Sequence, residues 1–313
     1  MQTVITDSVS EAAEFIRHGG IVGFPTETVY GLGANVFDPR GVERIFAAKR
    51  RPADNPLIAH IADVRQISEL ATEITDFAEQ FITAFFPGPL TIVLRKSKAV
   101  PLIATAGLDT IGIRMPRFLL AREFLTACGV PVVAPSANLS GRPSPTTWQA
   151  VVEDLDGRID CVLRAEPTEI GLESTVVDCT GKVPTVLRTG SVSLESLQEI
   201  VPDTVIHKPG NVAVVRSPGL LHKHYSPHSK VVLIDGAAEP KEFENSAYIG
   251  VARPATQFGY QSICSTVEEY AHSIFEFFRE CDRLGVKTIY CEAVEEIGIG
   301  VALMDRIRRA AAG

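Results

Sequence analysis

Short apolar runs alternate with amphipathic segments along the chain, and this alternation predicts a mixed α/β protein. Apolar runs bounded by turn residues predict buried strands, whereas apolar residues recurring every three or four positions predict helices. The predicted strands of the first part are Ile21–Phe24, Leu57–Ile61, Leu90–Leu94, Thr110–Arg114, Val130–Ala134, Cys161–Leu163 and Ser174–Asp178. The predicted helices there include Ser10–Arg17, a helix that starts at Pro39, Phe77–Phe85, Phe118–Cys128 and Leu194–Ile200.

Three of these strands adjoin polar turns. Pro25 cannot continue a central strand, so Thr26 and Thr28 fall just beyond its end. A second turn, Pro135–Thr146, follows the Val130 strand, and a third, Gly171–Thr175, opens the Ser174 strand. Because ligands of open α/β sheets bind beyond strand ends, these turns predict a binding site.

The second part of the chain has its own pattern. Residues 203–228 show no sustained periodicity, which predicts a linker, and a long linker of this kind is often functional. We therefore expect a first domain over residues 1–202 and a small α/β domain over residues 229–313. Alternation of strands with helices predicts a parallel sheet in that domain, with strands at Val231–Ile234, Tyr248–Val251 and Lys287–Cys291 and helices at Val267–Cys281 and Ala302–Ala311.

Composition narrows the class of protein. With 313 residues, 45 % hydrophobic residues and a formal net charge of −8, the chain has the profile of a globular protein and not of a general nucleic-acid coat or membrane-surface protein. Its six cysteines form no C-x-x-C pair and lie in apolar runs, which predicts buried reduced thiols. No signal-peptide pattern and no membrane-spanning run occurs, so we expect a cytoplasmic location.

Familiar nucleotide-binding motifs are absent from the sequence. It contains no G-x-x-x-x-G-K-[ST], and the pair Gly31 and Gly33 lacks the third glycine of the dinucleotide fingerprint, although both glycines allow close approach of the backbone. A bound nucleotide would therefore be held by scattered side chains near the strand ends. Four cations lie beside the polar turns: Lys49, Arg51, Arg114 and Arg188.

Arg114 has two interpretations of equal weight. A cation in so apolar a strand needs a partner, which is either a buried acid such as Glu27 or Glu173 or the carboxylate of a ligand. By themselves, Lys49 to Arg51 are typical of a solvated helix end, and His60 is typical of a core histidine.

Two other sequence patterns predict neither a metal site nor a catalytic nucleophile. His222, His224 and His228 have neither a cysteine nor a carboxylate nearby, so we expect no zinc site and no other metal site. Ser136 and Ser174 lack the context of a nucleophilic serine.

The motifs resemble those of the YrdC-like family, in the two-domain form of the L-threonylcarbamoyladenylate synthases. The matching runs are Phe24–Gly33, Ala48–Pro52, Asn55–Leu57, Pro87–Thr91, Ile113–Pro116, Ala134–Gly141 and Glu173–Val176 in the first domain. Later runs are Ser217–Gly219, His224–Pro227, Gly298–Gly300 and Met304–Arg306. One departure is Leu220, where a methionine is more usual.

This resemblance implies a fold and a reaction. The expected fold is a twisted mixed-sheet domain with a concave, positively lined cleft, followed by a smaller Rossmann-like domain with a parallel sheet. The expected reaction joins L-threonine, bicarbonate or CO₂, and ATP to threonylcarbamoyl-adenylate with release of pyrophosphate, and Mg²⁺ is the expected helper. Downstream threonylcarbamoyl-transfer proteins would use the product to modify tRNA. No membrane and no stable direct contact with nucleic acid is expected.

The resemblance also implies roles for residues. Lys49, Arg51 and Arg114 would act by positioning and electrostatics, with no residue assigned as an acid or a base. The expected threonine-binding residues are Thr26, His60, Arg114 and Ser174, and those for ATP are Lys49, Arg51, Asn55, Thr110, Ser136, Asn138, Ser144, Arg188 and Tyr225, the last reaching from the linker to cover the cleft.

Two alternatives belong to other classes. A basic concave surface could belong to an RNA-binding module, but no aromatic platform lies near the cations. A carbamoyltransferase of hydrogenase maturation would be expected to carry paired C-x-x-C zinc motifs, which the sequence lacks.

Overall fold

The computed structural model describes residues 2–207, 225–235 and 245–312, which form two sheets and their surrounding helices. The strands are β1 (Val4–Thr6), β2 (Val22–Phe24), β3 (Gly31–Asn35), β4 (Ile58–His60), β5 (Leu90–Arg95), β6 (Thr110–Arg114), β7 (Val132–Ala134), β8 (Cys161–Leu163), β9 (Thr175–Asp178), β10 (Thr185–Arg188), β11 (Val205–Ile206), β12 (Lys230–Ile234), β13 (Ser246–Gly250), β14 (Tyr260–Ile263) and β15 (Thr288–Glu292). The helices are α1 (Val9–Arg17), α2 (Pro39–Lys49), α3 (Ile67–Leu70), α4 (Asp76–Phe85), α5 (Leu119–Cys128), α6 (Trp148–Leu155), α7 (Leu194–Ile200), α8 (Val267–Arg283) and α9 (Ile299–Ala311), with 3₁₀ turns at Val64–Gln66 and Leu102–Thr105.

The larger sheet is mixed and has the strand order β1-β8-β2-β3-β7-β4-β6-β5-β9-β10-β11. Strands β4 and β6 pair in parallel, whereas β3 pairs with both of its neighbours in antiparallel fashion. The predicted mixed α/β class is therefore confirmed. This sheet extends to Ile206, beyond the expected domain boundary at residue 202.

Capping side chains fix where several helices begin. Asp38 accepts the backbone N–H of Arg40 at 3.0 Å, and Pro39 is the first residue of α2, where its missing N–H costs nothing. Thr147 caps α6, with its side chain accepting the backbone N–H of Ala150 at 3.3 Å. Helix α2 ends at Lys49 because Arg50 takes a left-handed backbone conformation with φ of 52°. These caps set the position at which Lys49 leaves the helix.

Strand β3 is absent from the sequence prediction because two of its five residues are glycines. Glycine has low strand propensity, so the segment shows no strand pattern. The structure explains both glycines: a Cβ on Gly33 would lie 2.6 Å from Val132, and one on Gly31 would lie 3.2 Å from the Phe24 ring. The close approach that these glycines permit is thus to the neighbouring strands of the sheet.

The smaller sheet has the order β12-β15-β13-β14, and all of its pairs are parallel. Helices α8 and α9 bury their apolar faces against it, which confirms the expected Rossmann-like domain. The sequence predicts three of its strands but not β14, whose alternating residues are partly or fully exposed.

Fully buried arginines connect the two sheets. Arg279 of α8 donates to both carboxylate oxygens of Asp154 in α6, at 3.2 and 2.9 Å. Arg306 of α9 donates to Glu173 at 2.9 Å. Both guanidinium groups are inaccessible to solvent, so the domains share a charged, buried interface.

The six cysteines are buried and free, and burial raises the pKa of each of their thiols. Within the residues that the structure describes, no helix is both long and apolar enough to cross a membrane.

Candidate active site

One pocket lies where strands β2, β6 and β7 end and β3 and β9 begin. Its empty volume, including the open solvent at its mouth, is about 750 Å³. Of the described residues, five cations and one carboxylate line it: Lys49, Arg51, Arg114, Arg142, Arg188 and Glu173. An excess of positive charge in a concave site favours an anionic ligand.

The turn after β2 holds a directed hydrogen-bond chain that starts at Arg114 and ends at the carbonyl of Val29. Arg114 donates Nη1–H to the Thr28 hydroxyl at 2.7 Å and Nη2–H to Glu27 at 2.6 Å. The Thr26 hydroxyl donates to the carbonyl of Val29 at 2.8 Å, so the proton between the two threonine hydroxyls comes from Thr28. All four polar side chains are buried. The chain holds Thr26 and Arg114 on one wall of the pocket.

The ion pair between Arg114 and Glu27 supports the interpretation in which Arg114 has a buried acid as its partner. A structural partner is present, and it is Glu27, with side-chain exposures of 5 % for Arg114 and 0 % for Glu27. Nε of Arg114 also donates to the carbonyl of Gly88 at 3.3 Å. Arg114 nevertheless lines the pocket, so the pair positions the guanidinium beside any ligand.

His60, the last residue of β4, lies beside Arg114 of β6 in the parallel pair of strands. Burial lowers the pKa of His60 to about 3, and the charge of Arg114 adds to this shift. The imidazole is therefore neutral at neutral pH. Its Nδ1 lies 3.1 Å from the carbonyl of Ile58, and its ring packs edge-on against Phe24.

Lys49 is buried at the end of α2, in contrast to the solvated helix end that its sequence context suggests. Its ammonium donates to the carbonyls of Ser136 and Asn138, both at 2.5 Å. Burial lowers the pKa of Lys49 well below its ordinary value, and the charge of Arg51 lowers it further. Lys49 thereby fixes the turn after β7 against the pocket.

The turn after β7 presents hydroxyl and amide groups held by internal bonds. The Ser136 hydroxyl donates to Oδ1 of Asn138 at 2.6 Å, and the Asn138 amide donates to the carbonyls of Leu139 and Arg142. Ser144 donates to Glu173 at 2.5 Å. These groups form another part of the pocket lining that contains Arg114 and His60.

Arg51 and Arg188 also line the pocket and add positive charge to it. Arg188 donates twice to the carbonyl of Ser174 and once, at 3.1 Å, to its hydroxyl, which also bonds to Thr91. Arg51 donates to the carbonyls of Asn55 and Pro56. Burial lowers the pKa of Arg188 and lowers that of Arg51 to about 10. Hydrogen bonds to backbone carbonyls therefore hold both guanidinium groups in place.

Tyr225, which directly precedes the C-terminal domain, supplies a further part of the pocket wall and packs on that domain. Tyr225 lines the pocket and stacks on Phe275 of α8, with ring centroids 5.3 Å apart. The Arg306 guanidinium lies 5.2 Å from the centroid of the Tyr225 ring. Burial raises the pKa of Glu173, but the charges of Arg306 and Arg188 and the bond from Ser144 outweigh it, so the net pKa is lowered. Glu173 is thus an ionised carboxylate inside the pocket.

Most of the residues expected at the site line this one pocket. Two do not: Thr110 is at the start of β6, whereas Arg114 ends it, and Asn55 is buried with no partner for its side-chain amide among the described residues. The expected residues that line the pocket are Thr26, Lys49, Arg51, His60, Arg114, Ser136, Asn138, Ser144, Ser174, Arg188 and Tyr225.

Sequence reasoning assigned no site role to Thr28, Arg142 or Glu173, which also line the pocket. Thr28 lies in the same hydroxyl-rich turn as Thr26, and Arg142 lies in the polar turn after β7, so both carried a local signal. The sequence places Glu173 in the family run Glu173–Val176 and offers it as a possible partner of Arg114, but predicts no ligand contact for it. Its actual partner, Arg306, lies in the other domain.

The expectation of no metal site falls partly outside the described residues, since His222 and His224 belong to the segment 208–224, as do the run Ser217–Gly219 and Leu220. His228 is exposed and lies 3.4 Å from Asp282. In the described ranges, no group of three or more histidine, cysteine, aspartate or glutamate side chains could hold a metal ion.

Together, the fold and the site define a class: α/β proteins whose mixed sheet carries a cation-lined pocket, backed by a second domain with a parallel sheet. The chain belongs to the Sua5/YciO/YrdC family, described as "Telomere recombination", which matches residues 14–190. A second family, "Threonylcarbamoyl-AMP synthase, C-terminal domain", matches residues 192–312. The resemblance to the YrdC-like family is confirmed.

Relatives that align with nearly the whole chain are named threonylcarbamoyl-AMP synthase. The chain is 43 % identical to the threonylcarbamoyl-AMP synthase of Pyrococcus abyssi over 96 % of this chain and 92 % of that protein. It is 37 % identical to the protein of that name from Bacillus subtilis, over 97 % of this chain and 93 % of that protein. The crystal structure of P. abyssi Sua5 complexed with L-threonine superposes with a TM-score of 0.91 at 41 % identity, covering 99 % of this chain and 97 % of that one.

Proposed function

We propose that this protein synthesises L-threonylcarbamoyladenylate from L-threonine, bicarbonate or CO₂, and ATP, with release of pyrophosphate. The observation that carries the proposal is a single pocket that joins two kinds of wall, in a chain similar along its whole length to threonylcarbamoyl-AMP synthases. One wall, with Arg114, Thr26 and His60, suits an amino acid. The other, with Lys49 and the turn after β7, suits a nucleotide.

Threonine would bind on the wall formed by Thr26, His60, Arg114 and Ser174. A guanidinium matches the geometry of a carboxylate, so Arg114 would take the carboxylate of threonine. Because His60 is neutral, it adds no charge that would repel the amine of the substrate. That amine must be uncharged to react with CO₂ and form a carbamate.

ATP would bind through the cations and hydroxyls of the other walls. Lys49, Arg51 and Arg188 would face its phosphates, Ser136, Asn138 and Ser144 would hold its polar groups, and Tyr225 would cover it. Asn55 and Thr110 stay predicted ATP contacts although they do not line the pocket.

The chemistry needs positioning and electrostatics more than a strong base. A carbamate oxygen attacks the α-phosphorus of ATP, the bond from that phosphorus to the bridging oxygen breaks, and pyrophosphate leaves with the electron pair. Carbamate is labile, so a pocket that keeps it next to the phosphorus and away from water raises the rate. Cations already in place stabilise the charge that develops on the departing phosphates.

Mg²⁺ enters the proposal only as an ion carried by ATP. The one carboxylate that lines the pocket, Glu173, is bonded to Arg306 and Ser144, so the described residues do not provide the free carboxylates that hold Mg²⁺ in proteins. Phosphate oxygens of ATP would provide its ligands instead, and the ion would offset phosphate charge when bound.

The product is a mixed anhydride, which must be passed to an acceptor before water destroys it. We propose that downstream tRNA threonylcarbamoyl-transfer proteins consume it, for the threonylcarbamoyladenosine modification of tRNA.

Pyrophosphate release by the purified protein tests this function. Release should require ATP, threonine and bicarbonate together, and it should stop when any one of the three is omitted. Release that continues without threonine would contradict the proposal, as would binding of RNA that falls steeply with salt but does not need threonine.

A further inference from the structure

Glu173 is an unexpected group in a pocket for a polyphosphate. Glu173 is buried, with 6 % of the residue exposed, and it lines the pocket together with Ser144 and Arg188. A carboxylate at this position repels phosphate oxygens, and in a buried site that repulsion is weakly screened. The pocket therefore needs a way to cancel this charge.

Arg306 provides the cancelling charge from the other domain. Its Nε donates to Oε2 of Glu173 at 2.9 Å, while Oε1 of the same carboxylate accepts the Ser144 hydroxyl. The Arg306 side chain is completely buried. A charge buried without a partner is strongly unfavourable, so each member of this pair depends on the other.

The same guanidinium contacts two further parts of the pocket wall. Nη2 of Arg306 donates to the carbonyl of Thr189 at 2.9 Å, directly after Arg188 in the chain. Its central carbon lies 5.2 Å from the centre of the Tyr225 ring, within the range of a cation–π contact. Asp305 accepts the Nη1–H of Arg306 at 2.6 Å. One side chain thereby sets the positions of Glu173, Arg188 and Tyr225 relative to each other.

We propose that Arg306 is a positioning residue for nucleotide binding, by which the C-terminal domain neutralises Glu173 and holds Ser144 and Tyr225 in place for the phosphates and the nucleoside of ATP. This inference rests on the proposed function, because it takes the pocket to bind ATP. It gives the second domain a direct role in the site.

The test compares three variants: Arg306→Met, the double variant Arg306→Met/Glu173→Gln, and Arg308→Met as a control. Methionine keeps the length of the arginine stem and removes its charge, and glutamine can still accept the hydrogen bond from Ser144. Arg308 lies on the same helix in an exposed pair with Glu296, away from the pocket.

Loss of Arg306 should weaken ATP binding and spare the rest of the protein. We expect the Kd for ATP of Arg306→Met to rise by about tenfold or more, because Glu173 is left charged and unpaired against the phosphates. The double variant should return to within about threefold of the unaltered protein, since no buried charge is left unpaired. Arg308→Met should bind ATP as the unaltered protein does.

A pH profile separates this role from a purely structural one. In Arg306→Met the buried carboxylate of Glu173 takes up a proton more readily, so ATP affinity should recover as the pH is lowered from about 8 to about 6. The unaltered protein, in which the pair persists, should show no such recovery, and a packing defect would not show it either.

Three outcomes would overturn the inference: normal ATP binding by Arg306→Met, a loss that Glu173→Gln does not rescue, or a loss that is the same at every pH. If Arg306→Met does not fold, the double variant decides, because the inference requires it to fold and to bind ATP. Failure of the proposed function would be seen separately, as pyrophosphate release by the unaltered protein that does not depend on threonine.

Discussion

The guanidinium of Arg114 has hydrogen-bonding capacity left for a ligand. Arginine has five N–H donors, and the described residues take three of them, through Gly88, Thr28 and Glu27. Two donors stay available on a side chain whose orientation is already fixed. A fixed guanidinium loses little entropy when it binds a carboxylate, which favours tight binding of a small amino acid.

The role of Arg114 should be tested without leaving Glu27 unpaired. A single Arg114→Ala change would leave a buried carboxylate without its cation, at a cost of about 3–5 kcal/mol. In the double variant Arg114→Met/Glu27→Gln, we expect threonine affinity to fall by more than about tenfold while ATP affinity stays within about threefold, since the lost contacts are charge-assisted bonds to threonine only. Titration calorimetry with each ligand measures both.

Glu27→Gln alone is the control for that experiment, because it keeps Arg114 in the pocket. It should retain threonine binding. If the double variant binds threonine normally, Arg114 does not hold the carboxylate.

His60 should make the stability of the fold sensitive to mild acid. Its folded pKa of about 3 lies below the ordinary value of 6.5, so between these values the unfolded chain binds the extra proton and stability falls as the pH falls. From pH 7 to pH 5 the loss from this residue should be about 2 kcal/mol. Denaturant unfolding at both pH values should show this loss in the unaltered protein and not in His60→Gln.

The exposed His18 serves as the matched control, since His18→Gln should keep the full loss. An equal pH dependence in His60→Gln and in the unaltered protein would contradict the prediction.

At the scale of elements, the turn after β7 is held from outside by one carboxylate. Asp154 of α6 accepts the backbone N–H of Leu139 at 3.1 Å and Nη1 of Arg142 at 2.6 Å. It also pairs with Arg279, which donates in addition to the carbonyl of Pro143. A loop of polar residues is thereby fixed in one conformation, so Ser136 and Ser144 need not be ordered when a ligand binds.

Asp154→Asn should therefore weaken ATP binding more than threonine binding. The substitution removes the charge that pairs with the buried Arg279 and the partly exposed Arg142, and it loosens the turn. We expect the KM for ATP to rise by about tenfold, with a change of less than about threefold for threonine. Steady-state pyrophosphate release against each substrate measures the two values. Asp156→Asn, at the exposed end of the same helix, is the control, and equal effects on both substrates would contradict the prediction.

The sequence predicts elements well where a local pattern exists. Apolar periodicity locates α5 and α7, and the run Thr110–Arg114 has the same bounds in the sequence and in the structure. Strand β3 could not be predicted, because glycines are poor predictors of a strand. Its glycines are required by close contacts with Phe24 and Val132, and these contacts exist only once the sheet has formed. Polar turns were recognisable as site elements, but their hydrogen bonds were not.

At the scale of the whole molecule, the domains are coupled through buried charge. Separating the domains would break the ion pairs of Arg279 with Asp154 and of Arg306 with Glu173. Every side chain in these two pairs is nearly or completely buried. The backbone also approaches closely, since a Cβ on Gly171 would lie 2.3 Å from the carbonyl oxygen of His272. The interface leaves no room for independent movement of the domains at these points.

We therefore expect the protein to unfold in a single cooperative thermal transition. If one domain unfolded alone, each buried ion pair would lose one partner, at a cost of about 3–5 kcal/mol for each pair. This cost is enough to prevent either domain from unfolding alone. Scanning calorimetry should give one peak for the unaltered protein and for the control Arg308→Met, with calorimetric and van't Hoff enthalpies that agree. Two resolved peaks would contradict this coupling.

Which acid pairs with which arginine is a property of the whole fold, and sequence reasoning leaves it open. Glu27 and Glu173 were equally good partners for Arg114, and only the meeting of β2, β6 and α9 assigns Glu27 to Arg114 and Glu173 to Arg306. Pairing of this kind depends on contacts between residues far apart in sequence, for which local patterns carry no signal.

The order of strands in the large sheet has a consequence for biosynthesis. Six of the ten pairs of neighbouring strands in this sheet are not consecutive in the chain, and the pocket takes residues from Thr26 to Tyr225. A nascent polypeptide that is still being translated before residue 225 has all four proposed threonine contacts, Thr26 to Ser174, but lacks Tyr225 of the ATP contact set. ATP therefore meets its full contact set only after the first domain has been translated, so ATP cannot guide the early steps of folding and instead stabilises the completed chain.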